Sequence, residues 1–248
     1  MPEHYYSADV DKAAQRGEPS AVWRDGQRRR LEMIRRYGAE SMRGRVLVDG
    51  TGIGAYQSRM AQDAQLIVGL DIEFPRLLEA KQHNTLLVCA RGEELPFAAG
   101  CFDGVLSNEV LEHVQDDRQA VEEISRTLVG GGRLILFCPN RGYPFETHGI
   151  YRKGKYRFGN KLFVNYLPRR WRDKLAPHVR VYSRRDLTAL VAGLPFTIEM
   201  KRTIFGGYDN IVQRMPAAGK ALRALLQWLE GTPLQRMGLS HLWVLRKD

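Results

Sequence analysis

Val46-Leu47-Val48-Asp49-Gly50-Thr51-Gly52-Ile53-Gly54 is the stretch from which the rest of the chain is read. The run Arg45 to Asp49 is apolar and β-branched, the composition of a buried parallel strand. It ends in glycines at alternate positions, which suit a tight turn where backbone approaches a ligand that a Cβ would repel. Tyr56 to Ala64 then opens a helix whose free N–H groups face an anionic or polar ligand. A second apolar run, Leu66 to Leu70, closes on Asp71, whose carboxylate would face the same crevice and accept ribose hydroxyls. These features describe a site for a nucleoside-containing cofactor. The turn alone does not choose which one, because Gly50 to Ala55 also satisfies a dinucleotide pattern and suits glycine turns of other α/β domains.

The residues downstream narrow the choice. A third strand-like run, Thr85 to Ala90, precedes Gly92-Glu93-Glu94-Leu95-Pro96-Phe97. Then comes Cys101-Phe102-Asp103-Gly104-Val105-Leu106-Ser107-Asn108-Glu109-Val110-Leu111-Glu112-His113-Val114, which carries the fourth strand and the residues after it. Ala120 to Val129 has helical spacing, Gly130-Gly131-Gly132 is read as its stop, and Arg133 to Cys138 gives a fifth strand. At these residues, from Val46 to Pro139, the chain resembles the class I S-adenosylmethionine-dependent methyltransferases, specifically the type 11 methyltransferase family.

The resemblance implies S-adenosylmethionine as cofactor and a set of contacts to it. Gly50, Thr51, Gly52 and Gly54 would line its methionine end, Asp71 would hold the ribose, and Ile72 would lie against the adenine. Gly92, Glu93 and Glu94 stand where the family meets the adenine edge, and Asn108 and Glu109 would close the pocket after the fourth strand. Two positions depart from the family pattern. The acidic residue usually found two places before the first glycine is Val48 here, and the acid is Asp49, shifted by one place in a strand whose side chains alternate in direction. The family's Asp near the adenine amino group corresponds to Arg91, which has no acceptor.

With 248 residues, 44% of them apolar, the chain is long enough and apolar enough for one α/β enzyme domain and excludes a disordered polypeptide. No apolar run reaches membrane-spanning length and the N-terminus has no apolar secretory segment, so a cytoplasmic location is expected. Cys89, Cys101 and Cys138 lack metal-ligand spacing and read as reduced thiols, Cys89 and Cys138 buried in strands.

Lys and Arg total 38 against 28 acidic residues, a net charge of +10, and the excess is concentrated. Arg24, Arg28, Arg29, Arg30, Arg35 and Arg36 share a segment with Ala21, Leu31, Met33 and Ile34, read as a helix packed beside the sheet. Between Arg141 and Arg185 a second basic region is interleaved with Tyr143, Phe145, Tyr151, Tyr156, Phe158, Phe163, Tyr166, Trp171 and Tyr182. An insertion after the fifth strand lies at the carboxyl edge of a parallel sheet, where ligands bind. Residues 140–182, with 1–37, are therefore read as an acceptor-binding cap for an anionic, partly apolar small-molecule, lipid-linked or glycan-linked acceptor. A solvated basic face with aromatics packed on the sheet edge explains the same composition. Nucleic acid is a less favoured partner, since no RNA-binding module accompanies the core. In Ala217 to Leu229, Leu222, Leu225, Leu226 and Leu229 share a helical face, read either as buried against the sheet or as a peripheral membrane contact.

Methyl transfer from a sulfonium needs mainly alignment and exclusion of water, with a base only where the acceptor must lose a proton. His113 is the candidate catalytic base, since it follows the fourth strand and titrates near neutrality. His148 and His178 are secondary candidates in the cap. An alternative uses Glu109, Glu112 and His113, placed at i, i+3 and i+4 on one helix face, with His148 as a distant ligand, as a divalent-metal site. The primary reading has no metal.

The element order predicts a doubly wound α/β sheet in a single domain: residues 1–44 a helical cap, 45–139 the cofactor core, 140–182 the acceptor insertion and 183–248 the end of the sheet. Phe196 to Phe205 and His241 to Arg246 supply the sixth and seventh strands, and the resemblance implies that the last inserts antiparallel between the fifth and sixth. The expected activity is S-adenosylmethionine-dependent methylation of an anionic acceptor at oxygen. The alternatives are an RNA or protein methyltransferase docking through the basic insertion, a nicotinamide-dependent oxidoreductase, and a nucleoside-binding module without turnover.

Overall fold

The computed structural model describes residues 23–83 and 86–248. Residues 1–22 of the expected N-terminal cap, with Ala21, and Thr85 at the start of the third strand lie outside them. Helix α1 (Asp25–Gly38) buries Leu31 and Ile34 in the core beside the sheet, while Arg28, Arg35 and Arg36 are exposed and Arg29 and Arg30 are half-buried. The sheet begins with β1 (Arg45–Asp49), β2 (Leu66–Asp71), β3 (Leu86–Cys89), β4 (Phe102–Asn108) and β5 (Leu128–Pro139). It is completed by β10 (Phe196–Ile204) and β11 (Ser240–Lys247). The strand order is β10-β11-β5-β4-β1-β2-β3, and β11 runs antiparallel to both neighbours, as the resemblance implied.

Two apolar layers explain why the strands read as continuous hydrophobic runs. Leu47, Val105, Leu134, Leu136 and Trp243 face one side, while Val46, Val48, Leu106, Ile135, Phe137 and Leu242 face the other. Both faces are covered, so alternation brings no polar side. Helix α2 (Gln57–Met60) is a single turn, shorter than expected, and α3 (Phe74–Ala80) follows β2. Helix α4 (Asp117–Thr127) is capped by Asp116, whose side chain accepts from the Gln119 N–H.

Helix α4 stops at Thr127, before the glycine triplet expected to end it. Leu128 already pairs with Phe102, and the next pair is Gly104 with Arg133, so the glycines form a bulge within β5. Gly131, at φ +80°, supplies the backbone turn that a side chain would strain.

Between β5 and the last strands the chain forms two small antiparallel strand pairs, one nested between the strands of the other, and two helices. β6 (Phe145–Glu146) pairs with β9 (Lys161–Leu162), and β7 (Ile150–Arg152) pairs with β8 (Lys155–Arg157). Helices α5 (Arg169–Leu175) and α6 (Arg184–Val191) follow, the second opened by a reciprocal Ser183–Asp186 capping box. Asn140 fixes the root of the insertion: its amide donates to the carbonyls of Arg236 and Gly238, and its Oδ1 accepts from the Gly142 N–H.

Helices α7 (Asp209–Arg214) and α8 (Pro216–Trp228) fill the detour before β11. The leucine face of α8 is not buried against the sheet: α8 meets α7 through Gly219, and Leu222, Leu225 and Trp228 are exposed. Cys89 is also exposed, contrary to expectation, because β3 is the sheet's edge strand; Cys138 is buried as expected. Among the described residues no helix is long and apolar enough to cross a membrane.

Candidate active site

The carboxyl ends of β1, β2 and β4 converge on the glycine turn. Gly50, Gly52 and Gly54 all have positive φ, +68°, +55° and +78°. A Cβ at Gly50 would collide with Val110 of the turn after β4, whereas one at Gly52 would meet nothing within 4 Å, leaving open room above the turn. Asp71 Oδ2 accepts from the Gly52 N–H at 2.8 Å and Oδ1 from the Glu73 N–H at 2.9 Å. Each oxygen keeps a second lone pair, so the carboxylate that orders the turn can still accept from a ligand. Thr51 is buried and donates its hydroxyl to Gln57 Oε1. Ile72, just beyond Asp71, is 63% exposed, an uncovered apolar surface beside the crevice.

Asp49 is buried at the end of β1. Its Oδ2 accepts from the Ser107 hydroxyl, while Oδ1 receives no hydrogen bond and lies 3.3 Å from where a Gly92 Cβ would stand. Burial pushes its pKa to about 6, against the Ser107 hydrogen bond and with help from the nearby Asp71 and Glu93 charges. The glycine at position 92 therefore keeps the approach to this carboxylate clear.

The remaining residues expected in the cofactor pocket divide. Glu93 is buried and turned toward the backbone, accepting from the Gln115 and Asp116 N–H groups; Glu94 is exposed. Arg91 stands 3.7 Å from Glu93, with its Nε buried and unpaired. Asn108 accepts from Arg30, and Glu109, at φ +57°, pairs with Arg30 at 2.8 Å and accepts from the Ser240 hydroxyl at 2.5 Å. Arg30 thus ties α1 to the turn after β4 and the start of β11. Its role was not read from sequence, where it was one of several arginines on a basic helix.

Residues 111–113 form a turn and the helix begins only at Asp117, so Glu109, Glu112 and His113 do not share a helix face. The groups brought together are Glu112, His113 and His148, whose ligand atoms lie within 4.8 Å of one another; Glu109 is not among them. Glu112 is buried and neither of its oxygens receives a hydrogen bond; burial and the neighbouring Glu109 charge raise its pKa well above the usual carboxylate range. Desolvation, reinforced by His148, lowers the His113 pKa from its ordinary 6.5, so its imidazole is neutral near pH 7. The His113 and His148 rings meet edge to face at 5.6 Å.

His148 is held by the insertion. Its Nδ1 lies 3.0 Å from Glu146 Oε1, and Glu146 Oε2 accepts from Arg172 at 2.6 Å. The His148 carbonyl accepts from the Tyr156 hydroxyl at 2.6 Å and lies 3.1 Å from His178 Nε2. His178 therefore supports the His148 loop. A cavity of about 230 Å³ opens here, lined among others by Arg30, Glu109, Tyr143, Phe145, Glu146 and His148. Glu146 and Arg172 were not singled out from sequence; a lone Glu and one Arg among many carry no spacing signal.

This seven-stranded sheet, with its glycine turn and the Asp71 crevice, is the architecture of an S-adenosylmethionine-dependent methyltransferase. Residues 47–136 match the family model described as "Methyltransferase domain", and the chain belongs to the class I S-adenosylmethionine-dependent methyltransferases. It is an enzyme that uses S-adenosyl-L-methionine. It is 34% identical over 163 residues to the uncharacterized protein MJ1123 of Methanocaldococcus jannaschii, covering 65% of this chain and 71% of that one. It is 28% identical over 129 residues to a demethylmenaquinone methyltransferase of Corynebacterium kroppenstedtii, and the match spans 52% of this chain and about half, 53%, of that protein. In fold it is similar to an S-adenosylmethionine-dependent methyltransferase from Mesorhizobium loti, with a TM-score of 0.62, 16% identity, and coverage of 88% of this chain and 96% of that one.

The described residues fit this cofactor. The buried Asp49 Oδ1 lacks a donor, and the space above Gly52 is one that a Cβ would enter.

Proposed function

We propose that the chain methylates an oxygen of an anionic small-molecule, lipid-linked or glycan-linked acceptor whose reactive end enters the cavity under the insertion. The observation that carries this reading is the cavity itself, about 230 Å³ at the carboxyl edge of the sheet and walled by Tyr143, Phe145 and His148. Its size suits a small group or the end of a larger molecule. Arg30 and Arg172 are already matched by Glu109 and Glu146, so they are not free for an acceptor's anionic part. That part would meet the outer face of the insertion instead, where Arg152, Lys153, Lys155 and Arg170 are exposed.

On this reading Asp71 holds the ribose hydroxyls, Ile72 covers one face of the adenine, and the glycine turn with Asp49 receives the methionine end, the Oδ1 pairing with its ammonium. Glu93 acts indirectly, fixing the turn after β4 through the Gln115 and Asp116 N–H groups. The bound cofactor supplies an electrophilic methyl group on sulfur. The protein's contribution is alignment and exclusion of water, and on this reading His113, whose ring meets that of the cavity-lining His148 at 5.6 Å, would take the acceptor's proton.

The test is transfer of labelled methyl to a panel of hydroxylated acceptors, with and without phosphate or carboxylate groups, in wild type and Phe145→Arg. Transfer to the anionic members, lost when the cavity wall is filled, is expected. Transfer only to RNA, with binding that falls steeply as salt rises, would replace this reading with nucleic-acid methylation.

A further inference from the structure

We infer that Glu112, His113 and His148 form a binding site for one divalent transition-metal ion, open toward the acceptor cavity. The three ligand atoms come from two separate segments, the turn after β4 and the first loop of the insertion, and lie within 4.8 Å of one another. His113 Nε2 is 3.9 Å from Glu112 Oε1. Metal–nitrogen and metal–oxygen bonds of about 2.0–2.2 Å place neighbouring donors roughly 3–3.6 Å apart, so closure needs a shift of about an ångström. The imidazoles can supply it, since the side chains of His113 and His148 are 50% and 26% exposed.

A second observation points to a ligand there. Glu112 is 1% exposed and both its carboxylate oxygens lack a hydrogen-bond donor, an expensive arrangement unless a cation or a proton fills it. Arg30, whose charge acts on Glu112, is already committed to Asn108, Glu109 and Ser240.

The surroundings also match how metal ligands are held. Glu146 Oε1 accepts from His148 Nδ1 at 3.0 Å, which fixes the tautomer and leaves the Nε2 lone pair free. Glu146 is itself anchored by the buried Arg172 at 2.6 Å, so the carboxylate–imidazole pair is rigid.

Two imidazoles and one carboxylate suit Zn²⁺, Mn²⁺, Fe²⁺ or Co²⁺ better than Mg²⁺ or Ca²⁺, which favour oxygen donors alone. Three protein ligands leave open positions, and His148 lines the cavity. An acceptor hydroxyl bound there would lose its proton to solvent more readily, and the His113 lone pair would serve the metal in place of acting as the base. This role rests on the proposed acceptor site; binding of the ion does not.

The experiment is titration of the full chain, stripped with chelator, with Co²⁺ alone, followed by its visible d–d bands, and with Zn²⁺ by calorimetry. Wild type, Glu112→Gln and His148→Ala are compared, with S-adenosylhomocysteine binding as the check that each is folded. One equivalent per chain is expected, weakened on the order of tenfold or more in either variant while nucleoside binding persists. No binding by wild type would overturn the site and leave a proton on Glu112 as what neutralises it. Equal binding in both variants would overturn it too, showing an adventitious ion elsewhere. If one variant fails to fold, the other decides. Neither negative result touches the acceptor reading, which the methyl-transfer panel tests separately.

Discussion

Arg172 donates to Glu146 at 2.6 Å with 3% and 1% of their side chains exposed, an ion pair buried at the centre of the insertion. Burial alone would raise the Glu146 pKa, but the His148 hydrogen bond and the Arg172 charge outweigh it and hold it at about 2. Arg172 also donates to the carbonyls of Ala176 and Val179, so one guanidinium gathers the loop after α5 onto β6, next to the loop bearing His148.

Removing one partner strands the other. Arg172→Met should cost about 3–5 kcal/mol, and adding Glu146→Gln should recover much of it, because a buried pair costs less to replace than to break. Urea unfolding of the two single variants and the double variant checks this; additive losses would show that the pair acts through packing alone.

The cofactor site has its own test in substitutions of Gly52 and Asp71. Gly52→Val fills the open room above the turn and strains a residue at φ +55°, while Asp71→Ala removes the acceptor of the Gly52 N–H. Both should lose at least about tenfold in S-adenosylhomocysteine affinity, roughly 1.4 kcal/mol, with the circular-dichroism spectrum retained. Unchanged affinity in both would show that the crevice has been misplaced.

Asp49 should make cofactor binding depend on pH. Its native pKa of about 6 lies above the ordinary 3.8, so the folded protein holds a proton that the unfolded chain has lost. Stability therefore falls as pH rises from about 4 to 6, a cost of roughly 3 kcal/mol at neutrality before any ligand binds. A ligand ammonium beside Oδ1 relieves that cost by favouring the carboxylate. S-adenosylhomocysteine affinity should accordingly rise through pH 6, and Asp49→Asn should flatten the profile while raising the apo melting temperature. A steep profile surviving in the variant would assign the proton to another group.

His241 gives the opposite slope. Buried on β11 and bonded through Nε2 to the Tyr182 carbonyl at 2.8 Å, it has its pKa pushed down to about 4 from 6.5, burial being the main cause. The unfolded chain takes up the proton first, so stability is full above pH 6.5 and declines toward pH 4 by roughly 3 kcal/mol. Unfolding free energy measured across that interval should lose this decline in His241→Gln.

The sequence by itself determined the strand and turn frame of the first half. Strands buried on both faces must be apolar throughout, and a turn at positive φ favours glycine, so Val46 to Gly54 and Leu66 to Asp71 carry their roles in local composition. The antiparallel last strand was legible only through family resemblance. The glycine triplet was misread because a glycine run after a helix looks the same whether it ends the helix or bulges the next strand. Only the tertiary structure decided the acceptor side. It brought Arg30 to Glu109 across 79 positions and His148 to His113 across 35, and it placed Glu146 between His148 and Arg172. It also left Leu222 and Leu225 of α8 exposed, where periodicity had offered either burial against the sheet or a peripheral membrane contact. Such contacts depend on how an insertion folds back over the sheet edge, and no spacing rule along the chain records that distance.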